Sequence, residues 1–167
     1  MREAAVPGYR LSKSRRSTKV LVTLALIGLF LGLFCAATIT VVKTGLSPSA
    51  VSTYYLGKDP SVVTDDLFPA SPRPIAELAE ITHLHLVGGS IMLFLLCHLL
   101  ALSEISENFR ITVYIGSFAS FILTFLTPWL VIYVSAGASV LFAPAVVSLF
   151  IMLVLATSIP IYEMWFR

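Results

Sequence analysis

Charged residues are scarce in this chain of 167 residues: lysine, arginine, aspartate and glutamate make up 12% of it, whereas apolar residues make up 57%. An ordinary soluble domain contains about 25% charged residues. So few charges cannot surround this many apolar side chains with a polar surface. The composition therefore excludes an ordinary soluble domain and indicates an integral membrane protein.

Cysteine is also scarce, since Cys35 and Cys97 are the only two. They are predicted to lie toward opposite ends of the first two membrane spans, too far apart for the short Cα separation that a disulfide requires. A disulfide-stabilised fold is excluded, and both residues are interpreted as small apolar packing residues.

Four uncharged stretches reach the ~20 residues that cross a hydrocarbon core. They predict membrane spans at Val20–Val42, Ile81–Leu102, Ile111–Val134 and Ala138–Tyr162. Short connections between the later spans favour antiparallel neighbours. The sequence therefore predicts one all-α membrane domain, an up-down bundle of four transmembrane helices. The first stretch is longer than the ~7–15 apolar residues of a signal peptide, so we expect it to be retained.

Basic residues are concentrated in the N-terminal tail, residues 1–19, which has six of them and one acid, Glu3. The loop 43–80 has five acids and three basic residues. The positive-inside rule then places both termini in the cytoplasm and the loop outside. We expect a multi-pass protein of the bacterial inner (plasma) membrane, in contact with the lipid bilayer. Nucleic acid is not an expected partner, because there is no folded basic domain.

The loop 43–80 is predicted to be ordered. Ser47 is a suitable N-cap, Pro48 fits the first helical position, and Gly57 fits a helix end, which together predict a short helix at 48–56. A new helix is expected to begin at 71–74 and to continue into the second span. The loop is interpreted either as a lid over the bundle or as a docking surface for a partner protein.

All three histidines, His83, His85 and His98, fall in the second span. An ionisable side chain within a membrane is by default a functional-site hypothesis, and imidazole is a common metal and haem ligand. At 100° per residue, His83 and His98 point within about 60° of each other and lie ~22 Å apart, whereas His85 points nearly the opposite way. Gly88 and Gly89 thin the helix and favour close approach of another helix or a flat ligand.

This arrangement resembles the membrane helices of b-type cytochromes, in which two histidines of one helix address two haems. The resemblance implies a haem b bound by His98, with His83 or His85 as further ligands. The other spans contain no histidine. A second iron ligand would therefore come from a symmetry mate, another subunit, Met92 or Met152, or the haem would be five-coordinate. The predicted function is a non-enzymatic membrane subunit of a larger respiratory or photosynthetic electron-transfer assembly.

A different site is indicated by Glu77, Glu80 and His83, which are spaced three residues apart and share one helix face. Glu-x-x-His is half of a metal-binding pattern in carboxylate bundles. Asp65 and Asp66 would close such a site from the loop. Acidic residues at a helix start are also explained by the helix dipole. The pattern leaves an outer-face metal site as an alternative.

A cofactor-free structural or assembly subunit is the main alternative to the haem hypothesis. In that interpretation His98 bonds to Thr124 or Ser120 across helices, and the other histidines bond to head groups, loop carbonyls or Glu80. Partners are then other membrane subunits or further copies of the chain. We do not expect an enzyme, because no nucleophile–base pair is visible.

The run TGLSPSAVSTYYLG, followed by HLHL and a later histidine, resembles a family of small bacterial four-helix inner-membrane proteins without an assigned function. The resemblance extends from Lys43 onward. It implies residence in the bacterial inner membrane and no particular chemistry.

Overall fold

The computed structural model describes residues 11–57 and 71–167. These residues form five α-helices: α1 (Arg16–Lys43), α2 (Pro48–Leu56), α3 (Ile75–Ala101), α4 (Glu107–Tyr133) and α5 (Phe142–Phe166). Short 3₁₀ helices occupy Leu11–Lys13 and Ala136–Leu141. There is no strand in this part of the chain. The predicted all-α class is confirmed.

Within the described residues, four helical segments are long and apolar enough to cross a membrane: α1, α3, α4 and the segment Ala136–Phe166, which includes α5. At 1.5 Å per residue each is about 40 Å long, which exceeds the ~30 Å hydrocarbon core. Each of these four segments is longer than the uncharged stretch that predicted it. The chain is a multi-pass membrane protein, and the predicted bundle of four transmembrane helices is confirmed.

The core lies between α3, α4 and α5. It contains large buried side chains from all three helices, among them Leu93, Leu96, Phe121 and Leu153. From α1 only Leu26, which is 1% exposed, is buried. The bundle is therefore a three-helix core with α1 at its side.

The first helix is attached mainly to α5. Lys19 donates a hydrogen bond to the carbonyl oxygen of Met164. Trp165 Nε1 donates to Thr23 Oγ1 at 2.9 Å. No comparable interface joins α1 to α3 among the described helices. Beyond these anchors, α1 leaves a space beside α3.

The two ends of the bundle are built differently. The termini end contains Leu11–Lys13, the connection between α3 and α4, and the end of α5. Here Glu163 is 2% exposed, and its Oε2 accepts the backbone N–H of Glu104 at 2.7 Å. Arg110 Nη2 donates to the Ser103 carbonyl at 2.9 Å. Charged side chains of α4 and α5 thus hold the connection in place.

The loop end contains α2, the start of α3 and Ala136–Leu141. Ser47 caps α2 by accepting the N–H of Ala50 at 3.2 Å, and Val51 is fully buried. Gly45 has a φ of 74°, and a Cβ there would meet Ala50 at 2.8 Å, so the turn before α2 requires glycine. The helix α2 packs on α4, α5 and Ala136–Leu141. This packing favours the lid interpretation of the described part of the loop.

Candidate ligand cavity in the bundle

A cavity of about 860 Å³ lies in the space beside α1. Its walls come from α1, α3, α4 and α5, and α2 lies at its loop end. Pockets for small molecules range from about 300 to 1,000 Å³ and are mostly apolar. The cavity is therefore large enough for a cofactor-sized molecule.

The α1 wall consists mainly of small residues, together with Leu29 and Leu33. Ala25, Gly28, Gly32 and Ala36 recur every three or four residues and so share one helix face. A Cβ added at Gly28 or Gly32 would meet no atom within 4 Å. The space next to both glycines is open, and larger side chains there would project into the cavity.

The opposite wall is aromatic. Phe121 and Phe125 of α4 and Phe142 and Phe150 of α5 line it. The rings of Phe121 and Phe125 are edge to face, with centroids 5.2 Å apart. Aromatic faces stack favourably on other flat rings. This wall therefore suits a molecule with a flat, apolar part.

His85 and Gly88 form the middle of the α3 wall. His85 Nδ1 lies 2.8 Å from the Ile81 carbonyl oxygen, and its ring stacks on Phe125 with centroids 4.8 Å apart. Because a carbonyl oxygen only accepts, Nδ1 is the donor, and a neutral ring keeps its lone pair on Nε2. A Cβ at Gly88 would meet no atom within 4 Å. An imidazole with an available nitrogen thus borders open space.

The two adjacent glycines have different roles, which the sequence did not separate. At Gly89 an added Cβ would lie 2.4 Å from the Phe121 ring, so this glycine allows α3 and α4 to pack closely. Both glycines line the cavity, but an added Cβ at Gly88 would meet no atom within 4 Å. Only Gly89 therefore fits the prediction of close helix approach.

His98 lies on the outside of the bundle. It is exposed, and its ring stacks on Phe94 with centroids 6.1 Å apart. The expected bonds to Thr124 or Ser120 are not among the contacts of the described residues. Those hydroxyls donate to carbonyls of their own helix, at 2.8 Å for Thr124 and 2.6 Å for Ser120. Any ligand of His98 would therefore be shared with a molecule outside this chain.

The residues of the predicted outer-face metal site are not brought together. Glu77 pairs with Arg73, and both Glu80 and His83 are exposed. Within residues 11–57 and 71–167, no three histidine, cysteine, aspartate or glutamate side chains are grouped to hold a metal ion. Asp65 and Asp66, which were expected to close the site, lie outside the described residues.

Polar side chains gather where the cavity meets the loop end. The Arg73 N–H donates to the Tyr55 carbonyl at 3.0 Å, and Arg73 Nε donates to the Tyr54 carbonyl at 3.3 Å. The guanidinium carbon lies 4.0 Å from the centre of the Tyr54 ring. Burial, and to a lesser degree Tyr54, raise the pKa of Tyr55 to about 12, against the lowering effects of Arg73 and Thr44. The cavity thus ends at a fixed guanidinium and a neutral phenol.

Sequence reasoning did not identify Arg73, Tyr54 or Tyr55 as site residues. The small face of α1 could have been found from the sequence, because Gly28 and Gly32 are four residues apart within an apolar helix. No local pattern relates Arg73 to the cavity, since its position depends on how α2 packs on the bundle.

Most of the chain matches the model of a known protein family. Residues 45–167 match the model of the Aq_1264_TM family, a transmembrane helical domain. The chain belongs to this family. The match includes α2–α5, and therefore every helix around the cavity except α1. No curated protein and no solved structure matches the chain. None of these comparisons shows a likeness to b-type cytochromes.

Proposed function

We propose that this chain is a membrane subunit of a larger electron-transfer assembly and holds a b-type haem in its cavity. His85 would hold the haem iron. One observation carries the proposal: among the three histidines, His85 alone lines the cavity of about 860 Å³. All three side chains are exposed, but His83 and His98 do not line the cavity.

The environment of His85 suits ligation of a metal. Metal-binding histidines usually donate their second ring N–H to a carbonyl or carboxylate, which fixes the tautomer. Here Nδ1 is held by the Ile81 carbonyl at 2.8 Å, which leaves Nε2 for a metal. Gly28, Gly32 and Gly88 leave open space for a flat molecule. When bound, a haem supplies a one-electron centre, and the protein supplies its ligand and its apolar surroundings.

The described residues offer no second iron ligand opposite His85. Met92 lies on the same face of α3, about 10 Å further along the helix axis, so it cannot face His85 across a flat ring. Met152 does not line the cavity, and its side chain packs near Gly116. His85 would therefore be the residue of this chain that holds the haem, and any second protein ligand would come from another subunit.

A second candidate is a membrane-soluble molecule that carries a ring hydroxyl, such as a quinol. The Nε2 lone pair accepts from a hydroxyl as readily as it binds a metal. The Nε2 lone pair cannot bond to a carbonyl oxygen, because both are hydrogen-bond acceptors. The phenylalanine wall suits a ring of either kind.

The orientation follows from the charge of the tail. We propose that the termini end faces the cytoplasm of a bacterial cell and that the loop end faces outward. Basic residues near the start of α1, such as Lys13, Arg15 and Arg16, support this orientation.

The proposal is tested on the full chain purified from membranes in mild detergent. The wild type is expected to show a haem absorption band in the Soret region. His85→Ala should lose it, whereas His98→Ala and His83→Ala, the matched controls, should keep it. Size-exclusion profiles establish that each variant remains folded.

Two outcomes contradict the proposal. One is a wild-type complex without extractable haem, in which case mass spectrometry of bound small molecules tests the quinol candidate. The other is a haem band that persists in His85→Ala but disappears in His98→Ala. A protein without any bound molecule, whose assembly is unaffected by His85→Ala, would instead be a structural subunit.

A further inference from the structure

We infer that the molecule in the cavity is an amphiphile whose oxyanion end, a carboxylate or phosphate, is bound by Arg73 at the loop end. The inference rests on the proposed function only in requiring a bound molecule, and it holds whether or not that molecule is a haem.

The polarity of the cavity changes along its length. Among the described residues that line it, Arg73 is the only one with a full charge. Thr40, Thr44, Tyr54 and Tyr55 line the same end. Leu29, Leu93 and Leu153 line the part nearer the termini end. A ligand that satisfies both parts has one polar end and an apolar body.

Arg73 is held in position before any ligand binds. Its side chain is 17% exposed, its Nε is hydrogen-bonded to the Tyr54 carbonyl, and its guanidinium lies over the Tyr54 ring. Little side-chain freedom remains to be lost on binding. A guanidinium matches the geometry of carboxylate and phosphate oxygens. The fixed cation therefore selects an oxyanion.

Its partner Glu77 does not cancel this preference. Glu77 pairs through one terminal nitrogen, Nη1, and its side chain is 41% exposed. A partly exposed ion pair of this kind contributes little. Glu77 is not among the residues that line the cavity, and none of the described lining residues is acidic. The raised pKa of Tyr55 also keeps that phenol neutral. Arg73 is therefore the charged side chain that borders the cavity, and its Nη2 is not used by the bonds to Glu77 and Tyr54.

The chain contains its own reporter and control for a binding experiment. Trp129 Nε1 donates to the hydroxyl of Thr82, a residue that lines the cavity, at 3.0 Å. The other tryptophan, Trp165, bonds to Thr23 at the termini end. In Trp165→Phe protein, fluorescence therefore reports the region next to the cavity wall at Thr82, and in Trp129→Phe protein it reports the opposite end.

The probes are a brominated fatty acid and its methyl ester, which quench tryptophan on contact, added to full-length protein in nanodiscs. We expect the acid to quench Trp129 at lower concentration than the ester, whereas Trp165, which is 44% exposed, should be quenched by both only through the bilayer and without a preference for the acid. Arg73→Gln should weaken binding of the acid about tenfold, the effect of one lost charge-assisted hydrogen bond, and leave the ester unchanged. Glu77→Gln breaks the same ion pair but keeps the cation, so it should bind the acid at least as tightly as the wild type.

Equal binding of acid and ester, or unchanged binding of the acid by Arg73→Gln, would overturn the oxyanion assignment. The existence of the cavity site is tested separately with Gly88→Leu, which fills it, against Ala119→Leu on the exposed face of α4. If Gly88→Leu binds both probes normally, the probes do not bind in the cavity and the inference fails, whereas the proposed function is tested separately by the haem band of the wild type and His85→Ala. Mass spectrometry of the purified wild type then distinguishes haem, fatty acid and phospholipid as the source of the oxyanion.

Discussion

Two neighbouring glycines of α3 allow the packing around the cavity to be tested with single methyl groups. A Cβ at Gly88 would meet no atom within 4 Å, whereas a Cβ at Gly89 would lie 2.4 and 2.6 Å from two ring carbons of Phe121. Phe121 is buried, at 5% exposure. Replacing either glycine with alanine gains a similar helix propensity, about 1 kcal/mol. The difference between the two variants therefore isolates the contact with Phe121.

The size of this difference follows from the distances. Carbon atoms pack at about 3.5–4.0 Å, so Phe121 would have to move by roughly 1 Å or more in Gly89→Ala. Overpacking of this kind costs about 1–3 kcal/mol. We expect Gly88→Ala to be about 1 kcal/mol more stable than the wild type, and Gly89→Ala to be about 1–3 kcal/mol less stable than Gly88→Ala. Reversible denaturant unfolding in micelles, followed by helicity, measures both free energies of unfolding.

The result that would refute this reasoning is equal stability of the two variants, or a marked loss of stability in Gly88→Ala. Equal gains in stability would mean that Phe121 does not crowd Gly89, whereas a marked loss in Gly88→Ala would mean that the face of α3 at Gly88 is packed and that the space described there does not exist in the membrane. Gly28→Ala on α1, where the added Cβ also meets no atom within 4 Å, is the control and should behave like Gly88→Ala.

Two further predictions concern the ends of the bundle. The folded state binds the Tyr55 proton more tightly than the unfolded chain, because the pKa rises from 10.0 to about 12. This contribution to stability is complete below pH 10.0 and is lost as the pH rises toward about 12. Tyr55→Phe should flatten that part of the pH–stability curve, and an unchanged curve would assign the alkaline loss to other groups. Glu163→Ala removes the acceptor of the Glu104 N–H and should cost about 1.5–3 kcal/mol of unfolding free energy. Glu163→Gln keeps an acceptor oxygen and should cost less, so equal losses in the two variants would argue against this hydrogen bond.

The helices were predictable because their signals are local. Apolar length predicts each span, and the cap at Ser47 with Gly57 marks the ends of α2. The cavity was not predictable, because it depends on the distance between α1 and α3. The helical periodicity predicted that His85 lies on a different face of α3 from His83 and His98. It did not predict which of these faces lies toward α1. The sequence predicted that Gly88 and Gly89 thin the helix. It did not predict the difference between them, because that difference depends on Phe121 of another helix, which lies next to Gly89 only.

The helix α1 is fixed at both ends and spans the cavity between them. Thr23 and Lys19 join it to α5 at one end, and the Gly45 turn joins it to α2 at the other. Its small face meets the cavity only in the present register, because each inserted residue rotates the following face by about 100°. A single insertion after Thr23 would turn larger, now exposed side chains such as Leu31 toward the space. The number of residues between the two anchors therefore determines which side chains of α1 line the cavity, and so which ligands fit.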